Sequence, residues 1–600
     1  MYTQQNPITG NQADNDLPKR LATFQTLSEA LDYAAQTNAA IGFHNARGNR
    51  TYQLTYSELR RDSRRLACKL ARLGLNREAK IGIFAETHPD FLRLFYACQY
   101  GGFTAVPLPV PIGLGDRRDY EEQLNRIIRQ SGVELVSSTP EQFENLKTCA
   151  SHLSTEQVLS VPEIEETVES DVDPESSEGL APLQPDEISH IQYSSGSTRN
   201  PVGIEITQHS LLSNAHIIGQ DGLALHEYTD ARVVSWLPFY HDMGLIGHCV
   251  VPVACQLNVD YLPPSEFARR PLRWLQLISE LRGTHSFAPD FGYEVCTRMG
   301  AREQSLSGLD LSCWKVAGMG GDMVKPYVAE EFANLFGDCG FDAGAFLPTY
   351  GMAEATLAVT FSPLGRGPIC DRISKRSLSS EKIAEPVAEE EPDSRLIVSC
   401  GQVLPGFGLE IRDTETGELL GPRKIGEIHI SGSSLMRGYH EDPVSTHRVM
   451  PDGQWLATGD LGYLADGELY VTGRIKDTII VRGHNMWPQD IEWQVERETA
   501  GLKSGDVAAF GLDNEDGGTK VVVLVQTRLS DPNQRTQLRK DTDAAAFRAC
   551  GLRCHIELIP PGSLPRTTSG KLMRSRAKEH WLNHAYVSAE KTDETCTTHV

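Results

Sequence analysis

Amphipathic helices alternate with short apolar strands through the first 350 residues of this 600-residue chain. Residues 54–76 carry apolar side chains at helical spacing with basic residues between them, and residues 80–87 (KIGIFAET) have the apolar run typical of a buried strand. Parallel strands need a crossover connection, which is usually a helix. The alternation therefore predicts an α/β fold with largely parallel sheets.

The chain is too long for one hydrophobic core, because single cores stop growing near ~250–300 residues. From Gly426 the pattern changes to short alternating strands, GEIHISG and ELYVTGR. Beyond residue 473 a further set of strands and an amphipathic stretch predict a separate small α+β domain. We predict a large domain at residues 1–472, a hinge at 473–476 and a small domain at 477–600.

Composition excludes several classes of partner and compartment. The formal net charge of −23 would repel nucleic acid and anionic lipid. No run approaches the ~18 apolar residues that cross a membrane, and the N-terminus lacks the pattern of a secretory signal. The thirteen cysteines are scattered irregularly, which is typical of reduced thiols. We expect a cytoplasmic protein that binds neither nucleic acid nor membrane.

The segment YSSGSTRNPVG at residues 193–203 is a candidate phosphate-binding loop. Its glycine and hydroxyl residues would let backbone N–H groups converge on an anion. It is not a Walker loop, because no Gly-Lys-Ser or Gly-Lys-Thr closes it. Alone, the segment is also compatible with an ordinary surface loop.

Further short motifs follow in a fixed order along the chain. Each has a plain structural explanation when taken alone, such as a core His-Asp pair, a turn aspartate or a solvated lysine. The motifs are WLPFYHDMGLIG (236–247), GMGGDM (318–323), TYGMAEAT (349–356), TGDLG (458–462), GRIKDTIIVRGHNMWPQDIE (473–492) and PRTTSGKLMR (565–574).

Together these motifs resemble the adenylate-forming superfamily of acyl-CoA synthetases, luciferases and peptide-synthetase adenylation domains, over residues 25–580. The loop, WLPFYHDMGLIG, YGMAEATLAVTF, VSCG and GHNMWPQDIE look most like the fatty acyl-AMP ligases. An insertion at about residues 361–395 lies where those ligases carry theirs. The resemblance implies a large domain of two α/β subdomains plus a small β-barrel, and a mobile C-terminal lid domain.

The resemblance also implies a two-step reaction that needs ATP and Mg²⁺. The carboxylate of a medium- or long-chain fatty acid attacks the α-phosphate of ATP, which gives acyl-AMP and pyrophosphate. The acyl group then passes to the phosphopantetheine thiol of an acyl carrier protein supplied in trans, for polyketide, nonribosomal peptide or lipid synthesis. Coenzyme A is generally a poor acceptor in this branch, which is attributed to the insertion.

By the same resemblance, most site residues would bind the nucleotide. Tyr350 would stack on adenine, and Asp460 would accept hydrogen bonds from both ribose hydroxyls with Arg474 beside it. Arg199 would replace the charge of the lysine that the phosphate loop lacks. The full nucleotide set is Ser194, Ser195, Gly196, Ser197, Thr198, Arg199, Gly320, Gly321, Asp322, Thr349, Tyr350, Gly351, Met352, Asp460 and Arg474.

The implied catalytic residues are Lys571, His241 and Glu354. Lys571 would neutralise the charge that develops as the carboxylate attacks phosphorus. His241 would lie beside the reacting carboxyl group. Glu354 would hold Mg²⁺ with help from Thr198, since hard cations prefer oxygen ligands. Lys476 has the position of the hinge residue about which the small domain rotates.

Other functions stay open at this stage. The chain could be an acyl-CoA ligase, or a non-catalytic nucleotide- or lipid-binding relative that lost turnover. A carrier protein is usually acidic, as this chain is, so we expect a local basic docking patch. The candidates, which could equally be ordinary solvated helix faces, are Arg60, Arg61, Arg64 and Arg65, or Arg269, Arg270 and Arg273.

Overall fold

The computed structural model covers most of the chain. Of the candidate phosphate loop, Ser195, Gly196, Ser197, Thr198 and Arg199 lie outside the described residues, as does the side chain of Ser194. The residues described are 17–110, 117–150, 153–167, 179–194, 201–303, 306–481, 484–513, 519–567 and 570–583.

Helices and strands alternate from the first described element. The elements up to residue 194 are α1 (Leu27–Ala34), β1 (Ala40–His44), β2 (Arg50–Thr55), α2 (Tyr56–Arg72), β3 (Lys80–Phe84), α3 (Pro89–Gly101), β4 (Thr104–Leu108), α4 (Arg117–Ser131), β5 (Leu135–Ser138), α5 (Phe143–Cys149), β6 (Val158–Ser160), α6 (Val161–Thr167) and β7 (Ile188–Ser194).

The same alternation continues to residue 361. Its elements are β8 (Val202–Thr207), α7 (Gln208–Ile217), β9 (Arg232–Ser235), α8 (Asp242–Leu245), α9 (Val251–Ala254), β10 (Asn258–Tyr261), α10 (Pro264–Arg269), α11 (Leu272–Leu281), β11 (His285–Ala288), α12 (Asp290–Gly300), β12 (Val316–Met319), α13 (Pro326–Phe336), β13 (Phe346–Gly351) and β14 (Ala358–Phe361).

Strands dominate the next segment. It contains β15 (Cys370–Ser374), α14 (Lys375–Ser380), β16 (Ser394–Val398), β17 (Gln402–Val403), β18 (Phe407–Arg412), β19 (Gly426–Gly432), β20 (Gly438–Tyr439), α15 (Pro443–Val449), β21 (Leu456–Ala465) and β22 (Glu468–Arg474).

The last described elements mix short strands with three helices. They are β23 (Ile479–Val481), β24 (His484–Met486), α16 (Pro488–Glu498), β25 (Val507–Asp513), β26 (Thr519–Gln526), α17 (Pro532–Cys550), β27 (His555–Ile559) and α18 (Arg574–Leu582).

Helix α2 illustrates why the local sequence folds as it does. The Thr55 side chain accepts the backbone N–H of Glu58 while the Glu58 carboxylate accepts the backbone N–H of Thr55, a capping box that fixes the first turn. Lys69 and Arg72 lie in the last turn, where cations complement the helix dipole. The helix thus begins two residues after the predicted start and ends four before the predicted end.

Two large sheets confirm the predicted α/β class. The first has the strand order β20-β8-β7-β4-β3-β5-β6, and the second has the order β17-β14-β13-β12-β11-β9-β10-β1-β2. Most inner strands of both sheets pair in parallel. Antiparallel strands stand at three of the four edges, and the parallel strand β6 forms the fourth. The helices that cross over between parallel strands bury their apolar faces on these sheets.

The small β-barrel expected in the large domain is instead an open antiparallel sheet, β18-β19-β21-β22. Residues 407–474 are all described, and β18 and β22 form its two opposite edges. The chain between β19 and β21 leaves this sheet, because Gly438 and Tyr439 of β20 pair with β8. A strand that could have helped close a barrel therefore extends the seven-stranded sheet.

The described residues after β22 have a core of their own. Strands β25, β26 and β27 form a three-stranded sheet, antiparallel between β25 and β26 and parallel between β26 and β27. One apolar cluster on this sheet includes Ile479, Ile491, Val523 and Leu538, all of which follow β22. Among the described residues, no helix combines the length and apolarity needed to cross a membrane.

Trp274 lies at the centre of an aromatic cluster under the nine-stranded sheet. It is fully buried, its ring contacts Tyr293 and Trp314 at centroid distances of 5.4 and 5.2 Å, and its Nε1 donates to Ser286.

We expect Trp274→Ala to cost about 3–5 kcal/mol of unfolding free energy. Urea denaturation followed by circular dichroism measures this loss. Phe547→Ala, at an exposed position, should change the midpoint little, and equal effects would contradict the packing described here.

Candidate functional site

A cavity of about 860 Å³ opens where parallel strands of the nine-stranded sheet end, beside the four-stranded sheet. Ligands of open α/β sheets bind outside the carboxyl ends of the strands. Most of the predicted site residues line this cavity. They are His241, Gly321, Asp322, Thr349, Tyr350, Gly351, Met352, Glu354, Asp460, Arg474, Lys476 and Lys571.

The remaining predicted residues either lie next to the cavity or fall outside the described part of the chain. Gly320 packs on Thr349, since a Cβ at Gly320 would lie 2.4 Å from the threonine Oγ1. The backbone of Ser194 ends β7 opposite Val202, which lines the cavity. The described ends of the candidate phosphate loop therefore meet at the cavity, and its central residues fall outside the described part of the chain.

Asp460 and Arg474 are brought together by strand register. They are paired residues of β21 and β22, and the Nε of Arg474 donates to Oδ1 of Asp460 at 2.9 Å. The Tyr350 hydroxyl donates to the other oxygen, Oδ2, at 2.9 Å. Asp460 is 6% exposed, and each carboxylate oxygen keeps a second lone pair for a further donor. The arrangement can accept a diol while Arg474 balances the charge.

Charge also connects Asp322 to this group. Asp460 is the main cause that raises the pKa of Arg474, and Asp322 contributes in the same direction. Burial, followed by the charge of Asp460, raises the pKa of the Tyr350 hydroxyl, so that hydroxyl stays a hydrogen-bond donor at neutral pH. Asp322 follows Gly321, whose φ of +81° is a left-handed conformation that favours glycine.

Glu354 is the carboxylate best placed for a phosphate-bound cation. It lies in a short 3₁₀ turn (Ala353–Ala355), its Oε1 accepts the Tyr439 hydroxyl at 3.2 Å, and burial raises its pKa. Among the described residues, no group of three His, Cys, Asp or Glu side chains could hold a metal by itself. One carboxylate suits Mg²⁺, which is usually bound through one or two carboxylates together with substrate phosphates.

His241 and Asp242 form a close pair at the start of α8. The His241 Nδ1 lies 2.5 Å from Asp242 Oδ1, and Met243 donates its backbone N–H to the same oxygen. Burial acts to raise the pKa of Asp242, but His241 and then Lys571 outweigh it, so the pKa is lowered overall. Lys571 lines the same cavity as this pair, and its charge acts on Asp242.

The loop that carries Lys571 is held by local bonds. Thr567 donates its backbone N–H to the Lys571 carbonyl at 2.8 Å, and its side-chain oxygen accepts the Lys571 backbone N–H at 3.0 Å. Gly570, with φ +86°, makes the tight turn before the lysine. The loop leads directly into α18, whose first residue is Arg574.

Arg574 lines the cavity, although no role is predicted for it from the sequence. Its Nε and Nη2 donate to the two oxygens of Glu492 at 2.8 and 2.6 Å, and its Nη1 donates to Asp477 at 2.9 Å. Asp477 follows the predicted hinge and Glu492 lies on α16. The signal was in the motif PRTTSGKLMR, but only the structure supplies the two distant partners.

Lys325 was also missed, because it lies outside every motif. Its Nζ contacts Glu294 at 2.8 Å and the Ser504 hydroxyl at 2.5 Å, and it lies 5.9 Å from the Trp493 ring centroid. Ser504 and Trp493 belong to the part of the chain that follows β24. This buried ammonium therefore joins Ser504 and Trp493 to Glu294 of helix α12.

Comparison with known proteins identifies similar chains along nearly the whole length. The profile of the family described as AMP-binding enzyme matches residues 31–440. A protein of Caulobacter vibrioides with the provisional name acyl-CoA synthetase is 38% identical, over 95% of this chain and 98% of that protein. JamA of Moorena producens, a medium-chain-fatty-acid–[acyl-carrier-protein] ligase, is 30% identical, over 93% of this chain and 95% of its own.

The fold is similar to solved structures as well. A structure from a study of fatty acyl-adenylate ligases from E. coli and L. pneumophila superimposes with a TM-score of 0.87. It is 41% identical in sequence, and the match covers 95% of this chain and 99% of that one.

Lys325→Met should loosen the attachment of residues 484–513. Its removal leaves Glu294 buried without its cation, and breaking such a pair costs about 3–5 kcal/mol. We expect hydrogen exchange to rise in α16 and β25 while the large sheets keep their protection. Lys315→Met, at an exposed lysine directly before β12, is the control. Unchanged exchange in Lys325→Met would show that the contact does not hold the two parts together.

Proposed function

This chain belongs to the AMP-binding enzyme family, as its motifs predicted, and from that premise we propose that it is a fatty acyl-AMP ligase. It activates a medium- or long-chain fatty acid with ATP, releases pyrophosphate and passes the acyl group to a carrier-protein thiol. The observation that carries the proposal is that Lys571, the His241–Asp242 pair and the Asp460–Arg474 pair share one cavity.

In this proposal Asp460 binds the ribose. Its two oxygens point to the donors Tyr350 and Arg474, and a ribose diol can share the remaining lone pairs. Tyr350 presents its ring to adenine while its hydroxyl stays on Asp460. Gly320, Gly321 and Asp322 provide the backbone edge beside the purine, and the loop from Ser194 to Arg199 receives the phosphates.

Lys571 is the proposed catalytic residue for adenylation. The carboxylate oxygen of the acid forms a bond to the α-phosphorus, and the bond from that phosphorus to the bridging oxygen of pyrophosphate breaks. Negative charge builds on the α-phosphate oxygens, and the Lys571 ammonium offsets it. Mg²⁺, held by Glu354 and by Thr198 of the loop, would neutralise the phosphate oxygens.

His241 orients the acid in this scheme. Its Nδ1 is occupied by Asp242, so the ring is held in place, and in the imidazolium form Nε2–H would donate to the carboxylate of the acid. The apolar part of the cavity beyond it includes Ile218, Phe287 and Phe361. Such a lining gains about 0.8 kcal/mol per buried CH₂ and favours an aliphatic chain.

The acceptor is the point that separates a carrier-protein ligase from a coenzyme A ligase. Arg395 of β16 is 5% exposed, pairs with Asp490 at 2.8 Å and lies 4.9 Å from the Trp487 ring centroid. Trp487 packs with Ile373 of β15 in one apolar cluster. Residues at the predicted insertion therefore contact the start of the predicted small domain. Separating the desolvated pair of Arg395 and Asp490 would be costly.

The contacts of Arg395 with Asp490 and Trp487 support a protein acceptor. We propose that the small domain rotates about Lys476 after adenylation, so that the thiol can approach. A carrier protein can offset the cost of the rotation with the binding energy of a whole interface, which coenzyme A lacks. The relative JamA, a fatty-acid–carrier-protein ligase, supports the same choice. We propose that the reaction takes place in the cytoplasm, because the thirteen cysteines are scattered as in proteins with reduced thiols.

Of the two basic clusters, the one near α10 suits a carrier protein better. In the first, Arg60 pairs with Asp32, Arg65 pairs with Glu165, and Arg64 is 8% exposed. In the second, Arg269 is 70% exposed and Arg270 is exposed as well, whereas Arg273 is buried against Glu280.

ATP–pyrophosphate exchange with a panel of saturated fatty acids tests the proposal. We expect exchange that depends on both the acid and Mg²⁺, and formation of an acyl thioester on a holo carrier protein that is faster than with coenzyme A. Apo carrier protein, which lacks the thiol, is the matched control. Exchange accompanied by thioester formation that is no faster on the carrier protein than on coenzyme A would favour the coenzyme A ligase. No exchange with any acid would leave a nucleotide- or lipid-binding protein.

A further inference from the structure

Two π-helical turns line the apolar part of the cavity. The first is Ile218–Gly222, which extends α7, and the second is Ile246–Val250, which connects α8 to α9. Ile218 of the first turn and His248 of the second are both cavity-lining residues. Turns of this kind are rare and frequently mark functional sites.

The two turns stand against an apolar wall. A Cβ at Gly222 would lie 2.6 Å from the Phe361 ring, and one at Gly247 would lie 3.4 Å from the Leu357 side chain. The Phe361 and Phe287 rings are in contact, with centroids 6.2 Å apart. Each turn therefore packs closely on side chains that also line the cavity.

His248 is the polar exception in these surroundings. It is 2% exposed, its ring lies edge-on to Phe287, and its Nδ1 donates to the Met243 carbonyl at 2.8 Å. Because Nδ1 carries the proton, Nε2 presents a lone pair. Nε2 has no hydrogen-bond partner among the described residues.

The ring is neutral at ordinary pH. Burial lowers the pKa of His248 to about 4, so Nε2 remains an acceptor across the neutral range. Ring nitrogens that are sealed without a partner occur elsewhere among the described residues, at His190 and His285, but Nε2 of His248 is not sealed in this way and stays accessible from the cavity. An acyl chain that fills the cavity without offering a donor removes water from this acceptor at a cost. The cavity is the space from which a donor can reach His248.

The position of His248 indicates which part of a substrate would supply the donor. It follows His241 by seven residues of nearly continuous helix, which corresponds to about 10 Å at the usual rise per residue. His241 is the proposed neighbour of the reacting carboxyl group. His248 therefore lies further along the acyl chain, among apolar side chains.

We infer that the preferred acid carries a hydroxyl group on its chain and donates that hydroxyl to Nε2 of His248. This inference rests on the proposed function and specifies its substrate class as hydroxylated fatty acids. Unsubstituted acids enter the same pocket but leave Nε2 unpaired. A hydroxyl at the matching position satisfies the ring, whereas one at another position is itself buried without a partner.

Decanoic acid and its monohydroxylated isomers, used as separate substrates in ATP–pyrophosphate exchange, test the inference. We expect one or two neighbouring isomers to exceed decanoic acid in kcat/KM by about tenfold. In His248→Asn the side-chain amide can still donate to the Met243 carbonyl, but the Nε2 acceptor is gone. That variant should lose the preference, so that whatever exchange remains no longer distinguishes decanoic acid from its hydroxylated isomers. His285→Asn alters a buried histidine outside the cavity and should keep the preference.

Calorimetric binding of the same acids gives the preference without turnover. If decanoic acid and every isomer bind and react alike, Nε2 is satisfied by water and the inference is wrong. It is equally wrong if a preference persists unchanged in His248→Asn. Loss of exchange with all acids, together with selective binding of a hydroxylated isomer, would overturn the proposed adenylation and support the hydroxyl site.

Discussion

The paired contacts of Arg574 with Asp477 and Glu492 are the interaction on which the rest of the site depends. A buried guanidinium is stable only if its desolvation is offset by close carboxylates with good geometry, and here Glu492 provides a two-point contact while Asp477 completes it. Lys571 precedes Arg574 by three residues. The position of its ammonium is therefore set by charges on the connection and on α16.

Two further contacts hold the same part of the chain. Lys325 joins Ser504 to Glu294 of α12, and Arg395 of β16 pairs with Asp490. Each side chain would regain its hydration if the proposed rotation separated the pair. Together these contacts hold the residues after β22 in the arrangement in which Lys571 shares a cavity with His241 and Asp242. Contacts of this kind suit a lid that must hold firmly for one step and release for the next.

Much of the fold and the site could be predicted, because both rest on local patterns. The α/β class follows from periodicity along residues 54–350, and the motif around Tyr350 ends a strand of the large sheet as expected of a ligand-binding edge. Other features depend on partners far apart in sequence. Arg574 meets Glu492 across 82 residues and Lys325 meets Ser504 across 179, and no local pattern encodes either pairing. The open sheet in place of a barrel likewise depends on β20 joining a distant edge.

We propose that the observed arrangement of the residues after β22 serves adenylation through Lys571. The most direct measurement separates the two half-reactions in Lys571→Ala, with Lys540→Ala on the exposed face of α17 as control. Pyrophosphate release in a single turnover should fall on the order of 10²–10³-fold, while transfer from supplied acyl-AMP to a holo carrier protein should keep most of its rate. Equal losses in both steps, or no loss in the first, would contradict the account.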